Sequence, residues 1–295
     1  MTEKTAMITI CGRPNVGKST LTNAFVGEKI AIVSNKAQTT RNRITGIAAL
    51  GDTQLIIMDT PGFHKPRNRL GDYMVAQVRE SIPDVDLIFL VVEPIAGAGR
   101  QESELIERIK ASGCPAVLVI NKIDTVEKEE LLAVMAAYAA EFEFAAIIPV
   151  SAKKNDGMDE LLRVMASYAK QEPHLFPDDM ITDQPERQIC AEIVREKLLL
   201  CLDKEIPHGT AVEVTRFSER ENEIIDLDVT IYCEKASHKG IIIGRHGAML
   251  KRVGELARRD IERFLGTKVF LQTWVKVKEN WRDSAAQLRN FGYVE

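Results

Sequence analysis

Apolar and polar positions follow two different patterns along this chain. Over residues 6–170, short runs rich in Val and Ile recur at 6–11, 44–50, 54–59, 86–92, 116–121 and 145–150. Near-continuous apolar runs of that length are what strands buried on both faces require. Amphipathic stretches near 18–27, 68–82, 101–112, 127–141 and 157–170 lie between them and predict helices. Strand–helix alternation predicts an α/β domain with a mostly parallel sheet covered by helices on both faces. Residues 171–184 break the pattern: Pro173 and Pro177 stand among acids with little periodicity, and Pro185 closes the stretch. This reads as a linker, 173–185, between a domain of residues 1–172 and a second of residues 186–295. In the second, the pattern predicts a helix near 186–202, extended runs at 210–218 and 223–234, helices around 247–265, an extended run at 268–278 and a last helix near 282–290. The order α-β-β-α-α-β belongs to an α+β domain and does not continue the first.

Composition narrows the class. The chain has 295 residues, 45% apolar and 28% charged, which excludes a disordered protein and suits two domains. A membrane span needs roughly 18 apolar residues, and the best uncharged run, 87–92, stops at Glu93. The first seven residues do not resemble a secretory signal. Cys11, Cys114, Cys190, Cys201 and Cys233 are odd in number and never form a CxxC pair. That argues against a disulfide framework or zinc knuckle and for the reduced cytosol. Net charge is −4, yet residues 183–234 carry −7 and residues 235–282 carry +8. A late basic segment suits a polyanion-binding face; on charge alone, a solvated helix surface explains it equally well.

The chemistry begins at Gly12-Arg13-Pro14-Asn15-Val16-Gly17-Lys18-Ser19-Thr20, which fits G-x-x-x-x-G-K-[ST] after an apolar strand and before a helix. Its glycines let backbone N–H groups wrap a phosphate, Lys18 can reach the β- and γ-oxygens, and the Ser19 hydroxyl can ligate Mg²⁺ at the helix N-terminus. Asp59-Thr60-Pro61-Gly62 ends another apolar run. Alone it is a turn; some 40 residues after a P-loop it reads as a carboxylate for the magnesium site. Gly62 follows as a backbone donor to the γ-phosphate. Asn121-Lys122-Ile-Asp124 supplies a carboxylate that can accept from guanine N1–H and its 2-amino group, donors that adenine lacks. Lys122 can lie over the base, and Asn121 can tie this loop to the P-loop. Ser151 and Ala152 close the next strand, with the Ala152 N–H placed for guanine O6. Between P-loop and Asp59, Thr40 is the expected γ-phosphate-dependent magnesium ligand and Thr39 the alternative. Each motif falls at the C-terminal end of a strand, where open α/β sheets bind ligands. Phe63 follows Gly62 where Ras-like enzymes place a water-orienting Gln, so water positioning must come from elsewhere.

Together GRPNVGKS, QTTR, DTPG, NKID and VSA resemble the TrmE–Era branch of small GTPases. The tail narrows the likeness to the Era family. Ile241-Ile242-Ile243-Gly244-Arg245-His246-Gly247 resembles the GxxG loop of a type II KH domain, and residues 271–281 with 288–293 resemble the Era C-terminus. Der-type members carry two G domains, TrmE-type members a catalytic C-terminal Cys, and FeoB-type members membrane spans, so they fit less well. The resemblance implies a P-loop GTPase domain followed by a KH domain, GTP/GDP and Mg²⁺ as ligands, and a role in 30S maturation through the 3′ end of 16S rRNA. Lys18, Thr40, Gly62 and Asn15 are then the expected catalytic set. Asn15 enters because in this branch an asparagine here helps hold K⁺. The resemblance also implies a cytoplasmic monomer with a fraction at the inner face of the cell membrane; no long cationic amphipathic segment gives the membrane part a basis in the residues.

For RNA, the expected contacts are Lys239, Ile242, Gly244, Arg245, His246, Gly247, Lys251 and Arg252, with Ile241–Ile243 supplying an apolar base groove. GxxG alone is a weak motif; the basic segment and element order strengthen it. Trp274 reads as packing the sheet, with base stacking the alternative. Two rival functions remain: a GTP-dependent RNA-modifying factor, for which no third active site is visible, and a KH scaffold with little GTP turnover.

Overall fold

The computed structural model describes residues 3–36, 38–221 and 223–293. The chain divides into two compact units, residues 1–66 with 74–183, and residues 67–73 with 184–295.

The first unit holds a six-stranded sheet of β1 (Lys4–Gly12), β2 (Ile44–Leu50), β3 (Thr53–Asp59), β4 (Leu87–Val92), β5 (Ala116–Ile120) and β6 (Ala146–Pro149). Their spatial order is β2-β3-β1-β4-β5-β6. Only β2 runs antiparallel to its neighbour. The crossovers are α1 (Lys18–Val26), α2 (Arg69–Glu80), α3 (Arg100–Ser112), α4 (Lys128–Glu141) and α5 (Met158–Ser167). Every residue of β4 and β5 is buried. One core layer joins Ile8, Leu21, Phe25, Phe89 and Leu161, and the opposite layer joins Met58, Ile88, Leu105, Ile109 and Tyr138. Helices on both faces explain why these strands read as continuous apolar runs. Strand β1 lies between β3 and β4, so the connections diverge to either side of its C-terminal end and open a crevice there.

The stretch expected as a linker behaves otherwise. Residues 173–183 belong to the first unit and lie along β2 and β3. The Gln54 amide donates to Phe176 O at 2.8 Å and accepts from the Leu175 and Phe176 N–H groups at 2.9 and 3.1 Å. Ile47 N–H donates to Ile181 O at 2.9 Å and Thr182 Oγ1 to Thr45 O at 2.6 Å. Backbone and amide bonding of this kind needs no hydrophobic period, so the sequence pattern does not carry it.

The second unit contains α6 (Glu186–Cys201), β7 (Ala211–Glu219), β8 (Ile225–Cys233), α7 (Ala236–Ile243), α8 (Ala248–Leu265), β9 (Val269–Val277) and α9 (Ala285–Asn290). Its sheet order is β7-β8-β9, with β7–β8 antiparallel and β8–β9 parallel. The helices pack one sheet face through Ile189, Ile193, Val253, Ala257 and Ile261 against Leu227, Val229, Ile231 and Val275. Trp281 is fully buried, and its indole N–H donates to Gly209 O at 2.9 Å. Among the described residues, no helix is long and apolar enough to cross a membrane.

Candidate functional site

The phosphate loop runs from the end of β1 to α1. Gly17 sits at φ 100° as the residue before the helix, and a Cβ there would lie 2.2 Å from Asn121 Nδ2. Glycine is therefore required both by conformation and by the close approach of the guanine-side loop. Lys18 is buried, and its ammonium donates to Gly12 O at 3.2 Å and Arg13 O at 2.8 Å. Burial pulls its pKa down to about 8, against the opposing pull of Asp59. Thr20 follows in the first turn of α1.

Three oxygens meet beside this lysine. Ser19 Oγ donates to Asp59 Oδ2 at 2.6 Å and lies 2.8 Å from Thr40 Oγ1. Thr39 instead donates to Lys36 O at 2.6 Å, so the structure brings Thr40 rather than Thr39 to the cluster. Asp59 is fully buried and its Oδ1 has no hydrogen-bond partner among the described residues. Desolvation pushes its carboxyl up to about 6, although Lys18 and Ser19 pull the other way. A buried carboxylate oxygen without a donor, beside two hydroxyls, fits a hard divalent cation that takes oxygen ligands. Thr60 donates through N–H and Oγ1 to Ile10 O at 3.3 and 2.8 Å, fixing the DTPG turn on β1. After Pro61, a Cβ on Gly62 would come within 2.7 Å of Pro14 Cα. Phe63 turns into the core under the Arg108 guanidinium, 5.4 Å from the ring centroid.

On the base side, one amide joins three segments. Asn121 Nδ2 donates to Val16 O at 2.8 Å, and Asn121 Oδ1 accepts from Ala152 N–H at 3.0 Å. The Ala152 N–H, expected to face guanine O6, donates to Asn121 in this structure. Ser151 donates to Asp124 Oδ1 at 2.7 Å, and that hydroxyl holds the exposed Asp124 carboxyl below its usual range. Lys122 Nζ donates to Asn15 O at 2.7 Å and Glu93 Oε1 at 2.5 Å. Arg13 reaches Glu93 at 3.5 Å and pairs with the buried Glu102. Sequence reasoning passed over both glutamates. Glu93 carried the available signal, a lone charge at the C-terminal end of an apolar strand, where each recognised motif also stands. Asn15 lies at φ 68° and its Nδ2 donates to Asn35 O at 2.8 Å.

In the second unit, α7 ends at Gly244, φ 74° and ψ 174°, where a Cβ would lie 2.6 Å from that of Met249. Arg245 and His246 are exposed on the following turn, and Gly247 leads into α8. Val253, Ala257 and Ile261 face the core. Lys251, Arg252, Arg258 and Arg259 are exposed, and Lys239 on α7 is half-buried. A groove of about 450 Å³ opens beside the turn, between Leu250, Gly254 and Arg258 of α8 and Val269, Leu271 and Thr273 of β9. A Cβ on Gly254 would meet nothing within 4 Å, so this glycine leaves room in the groove rather than answering a packing demand. Ile242 is not part of the groove: it is fully buried among the helices and sheet, because the middle of three isoleucines on one helix faces the core. Trp274 is also misplaced by the sequence reading. It is 43% exposed on the sheet face away from the helices.

A P-loop with its hydroxyl–carboxylate cluster and base-side asparagine, on one unit, and a GxxG turn over a groove, on the other, define a nucleotide-binding GTPase joined to a KH module. Residues 7–122 match the family model of a 50S ribosome-binding GTPase, and residues 205–282 match that of a KH domain. The chain is 52% identical to GTPase Era of Ruminiclostridium cellulolyticum, covering 99% of this chain and 98% of that one. It is 49% identical to GTPase Era of Alkaliphilus metalliredigens, covering 99% and 100%. Among solved structures, an Aquifex aeolicus Era variant bound to GDP·AlF4⁻ superposes with a TM-score of 0.95 at 36% identity, covering 99% of this chain and 100% of that one. Era in complex with MgGDPNP and nucleotides 1506–1542 of 16S ribosomal RNA superposes equally well, at the same identity and coverage. The chain belongs to the Era family of GTPases.

Proposed function

We propose that this protein is a GTP-hydrolysing switch in 30S subunit assembly, gripping the 3′-end region of 16S rRNA with its KH module. Residues 1–172 serve as the nucleotide domain and residues 186–295 as the RNA-binding domain. The observation that carries the nucleotide half is the Ser19–Thr40–Asp59 cluster beside the buried Lys18 ammonium. Its relative solved with MgGDPNP and 16S rRNA nucleotides supports carrying both ligands over to this chain.

In this reading the backbone from Gly12 to Gly17 wraps the β-phosphate, and Lys18 faces the β- and γ-oxygens. Ser19, Asp59 and Thr40 hold Mg²⁺. When bound, the metal neutralises charge on the β- and γ-phosphate oxygens. Thr40 and Gly62 sense the γ-phosphate. Asp124 reads the guanine edge, Lys122 covers the ring, and Asn121 holds this loop on the P-loop. In the KH module, Gly244 and Gly247 bring the backbone close to RNA, Arg245 and His246 meet phosphates at the turn, and Lys239, Lys251 and Arg252 flank it. Leu250, Gly254 and Leu271 form the walls for unpaired bases. A monomer in the cytoplasm suffices for this activity; a fraction at the inner membrane face would have to bind peripherally.

Phe63 is buried and has no polar group for water. Asn15 Nδ2 bonds Asn35 O, which leaves Oδ1 as the side chain's acceptor; it would hold K⁺ near the phosphates, where a cation offsets charge developing in hydrolysis. Hydrolysis is then faster in KCl than in NaCl at equal ionic strength, and Asn15→Ala removes the difference with GDP binding nearly intact. Equal rates in the two salts for the unaltered protein would sink the potassium assignment.

The RNA half is tested by crosslinking in cells and mapping the bound RNA. Reads should gather at the 3′ end of 16S rRNA; reads centred elsewhere would overturn the proposal.

A further inference from the structure

Strand β9 lies at the edge of the KH sheet, and its two faces differ. Val269, Leu271 and Thr273 border the groove on the helix side, where Val275 packs into the core. Phe270 and Trp274 face the other way, 49% and 43% exposed. Four residues along a strand is roughly 13 Å, several times the ~3.4 Å rise between stacked bases, so the rings suit two bases separated in sequence. The C-terminal segment covers this face at its far end, where Phe291 meets the Tyr232 ring at 4.9 Å.

The charges around the rings are sorted by exposure. Asp226, opposite Phe270 in register, is bound by Arg220 at 2.5 Å and Arg216 at 3.2 Å. Its side chain is 10% exposed, whereas those of Arg216 and Arg220 are 57% and 45% exposed. The carboxylate is covered and the guanidinium groups face solvent. Arg220 also lies over the Phe270 ring at 5.3 Å, and exposed Lys276 continues the row beyond Trp274. Of the other acids here, Asp228 is half-buried and Glu213 accepts from the Tyr232 hydroxyl.

We propose that this outer face of β9 is a second site for single-stranded RNA, on which Phe270 and Trp274 stack unpaired bases while Arg216, Arg220 and Lys276 meet phosphates. The inference rests on the groove reading above, since it continues that path: Phe270 itself borders the groove, and a strand leaving it rounds only one β-strand to reach the rings. Aromatic rings interleaved with cations, without a contiguous aliphatic patch, suit sequence-tolerant base stacking better than a protein contact.

Trp274 makes the test direct, because the chain has two tryptophans and Trp281 is fully buried. The full chain is titrated with a four-nucleotide piece of the 16S 3′ end, about what a GxxG groove holds, and with a longer piece extended on both sides. The longer RNA should quench the exposed tryptophan and bind at least about fivefold tighter than the short one, the low end for one stacked base. Trp274→Thr, a residue at ease in a strand, should abolish both the quench and the affinity gain and leave short-RNA binding unchanged. Trp274→Tyr should retain most of the gain. Circular dichroism checks folding of both variants. Wild-type emission left unquenched by the longer RNA, or an undiminished affinity gain in Trp274→Thr, would overturn the proposal and leave the face to a protein partner. Failure of the short RNA to bind, with the long RNA still quenching Trp274, would overturn the groove reading while supporting this one.

Discussion

Asn121 shows how much of the nucleotide site depends on single side chains. One amide fastens the end of β5 to the P-loop at Val16 and to the end of β6 at Ala152. Motif residues of this kind were legible because a carboxylate, amide or hydroxyl at a strand's C-terminal end has few structural reasons to be there. Backbone donors were not: nothing in the letters reveals that Ala152 spends its N–H on Asn121. Asp124 stays ionised at neutral pH, helped by the Ser151 hydroxyl. Asp124→Asn should therefore weaken GTP about ten- to hundredfold, the range for a lost hydrogen bond to a charged group, and shift preference toward xanthosine nucleotides. Competition against labelled GDP reads both effects; ATP displacing GDP as well as GTP does would remove the guanine assignment. Ile242 separates packing from recognition. Ile242→Ala should cost the second unit about 2–5 kcal/mol, seen as a lower urea midpoint. A variant with an unmoved midpoint but weakened RNA binding would return Ile242 to the groove.

Elements were read well where their period was strong and poorly where it was not. The inner strands β1, β3, β4 and β5 stood out because both faces are covered. Helix α7 did not: Ala236–Ile243 ends in three isoleucines and has no clear polar face, so the pattern merged it into its surroundings. The strap of residues 173–183 was read as a linker because its anchors are single polar groups. His174 is one of them. Its Nδ1 lies 2.6 Å from Asp178 Oδ1 and its Nε2 3.2 Å from Asp52 O, so both ring nitrogens face acceptors. The hydrogen bond to Asp178, with that to Asp52 O, raises its pKa above the ordinary 6.5. A raised histidine pKa adds stability that is fully present below the unfolded-state value and is lost as pH rises through the folded-state value. The melting temperature of the wild type should exceed that of His174→Gln at pH 6, and the gap should shrink as pH climbs above 6.5. A gap that is constant from pH 6 to pH 9 would mean the imidazolium does not hold the strap.

At the scale of the whole molecule, charge distribution foretold the division of labour better than composition did. A net charge of −4 hides a +8 segment, and that segment contains the GxxG turn, α8 and β9. What charge could not locate was the groove, which needs Gly254 and the inner side of β9 to meet in space. In the proposed function, guanine-nucleotide turnover and RNA binding belong to one device. Its most direct test is GTP turnover measured with and without a saturating 16S 3′-end oligonucleotide, on the wild type and on Arg245→Asp with His246→Asp. Both glycines of the turn are kept in that variant, and circular dichroism verifies its fold. Turnover should be slow for the protein alone, faster with RNA, and unresponsive to RNA in the variant. Turnover indifferent to bound RNA in the wild type, or a variant still stimulated by it, would mean that the two activities are not coupled through the GxxG turn.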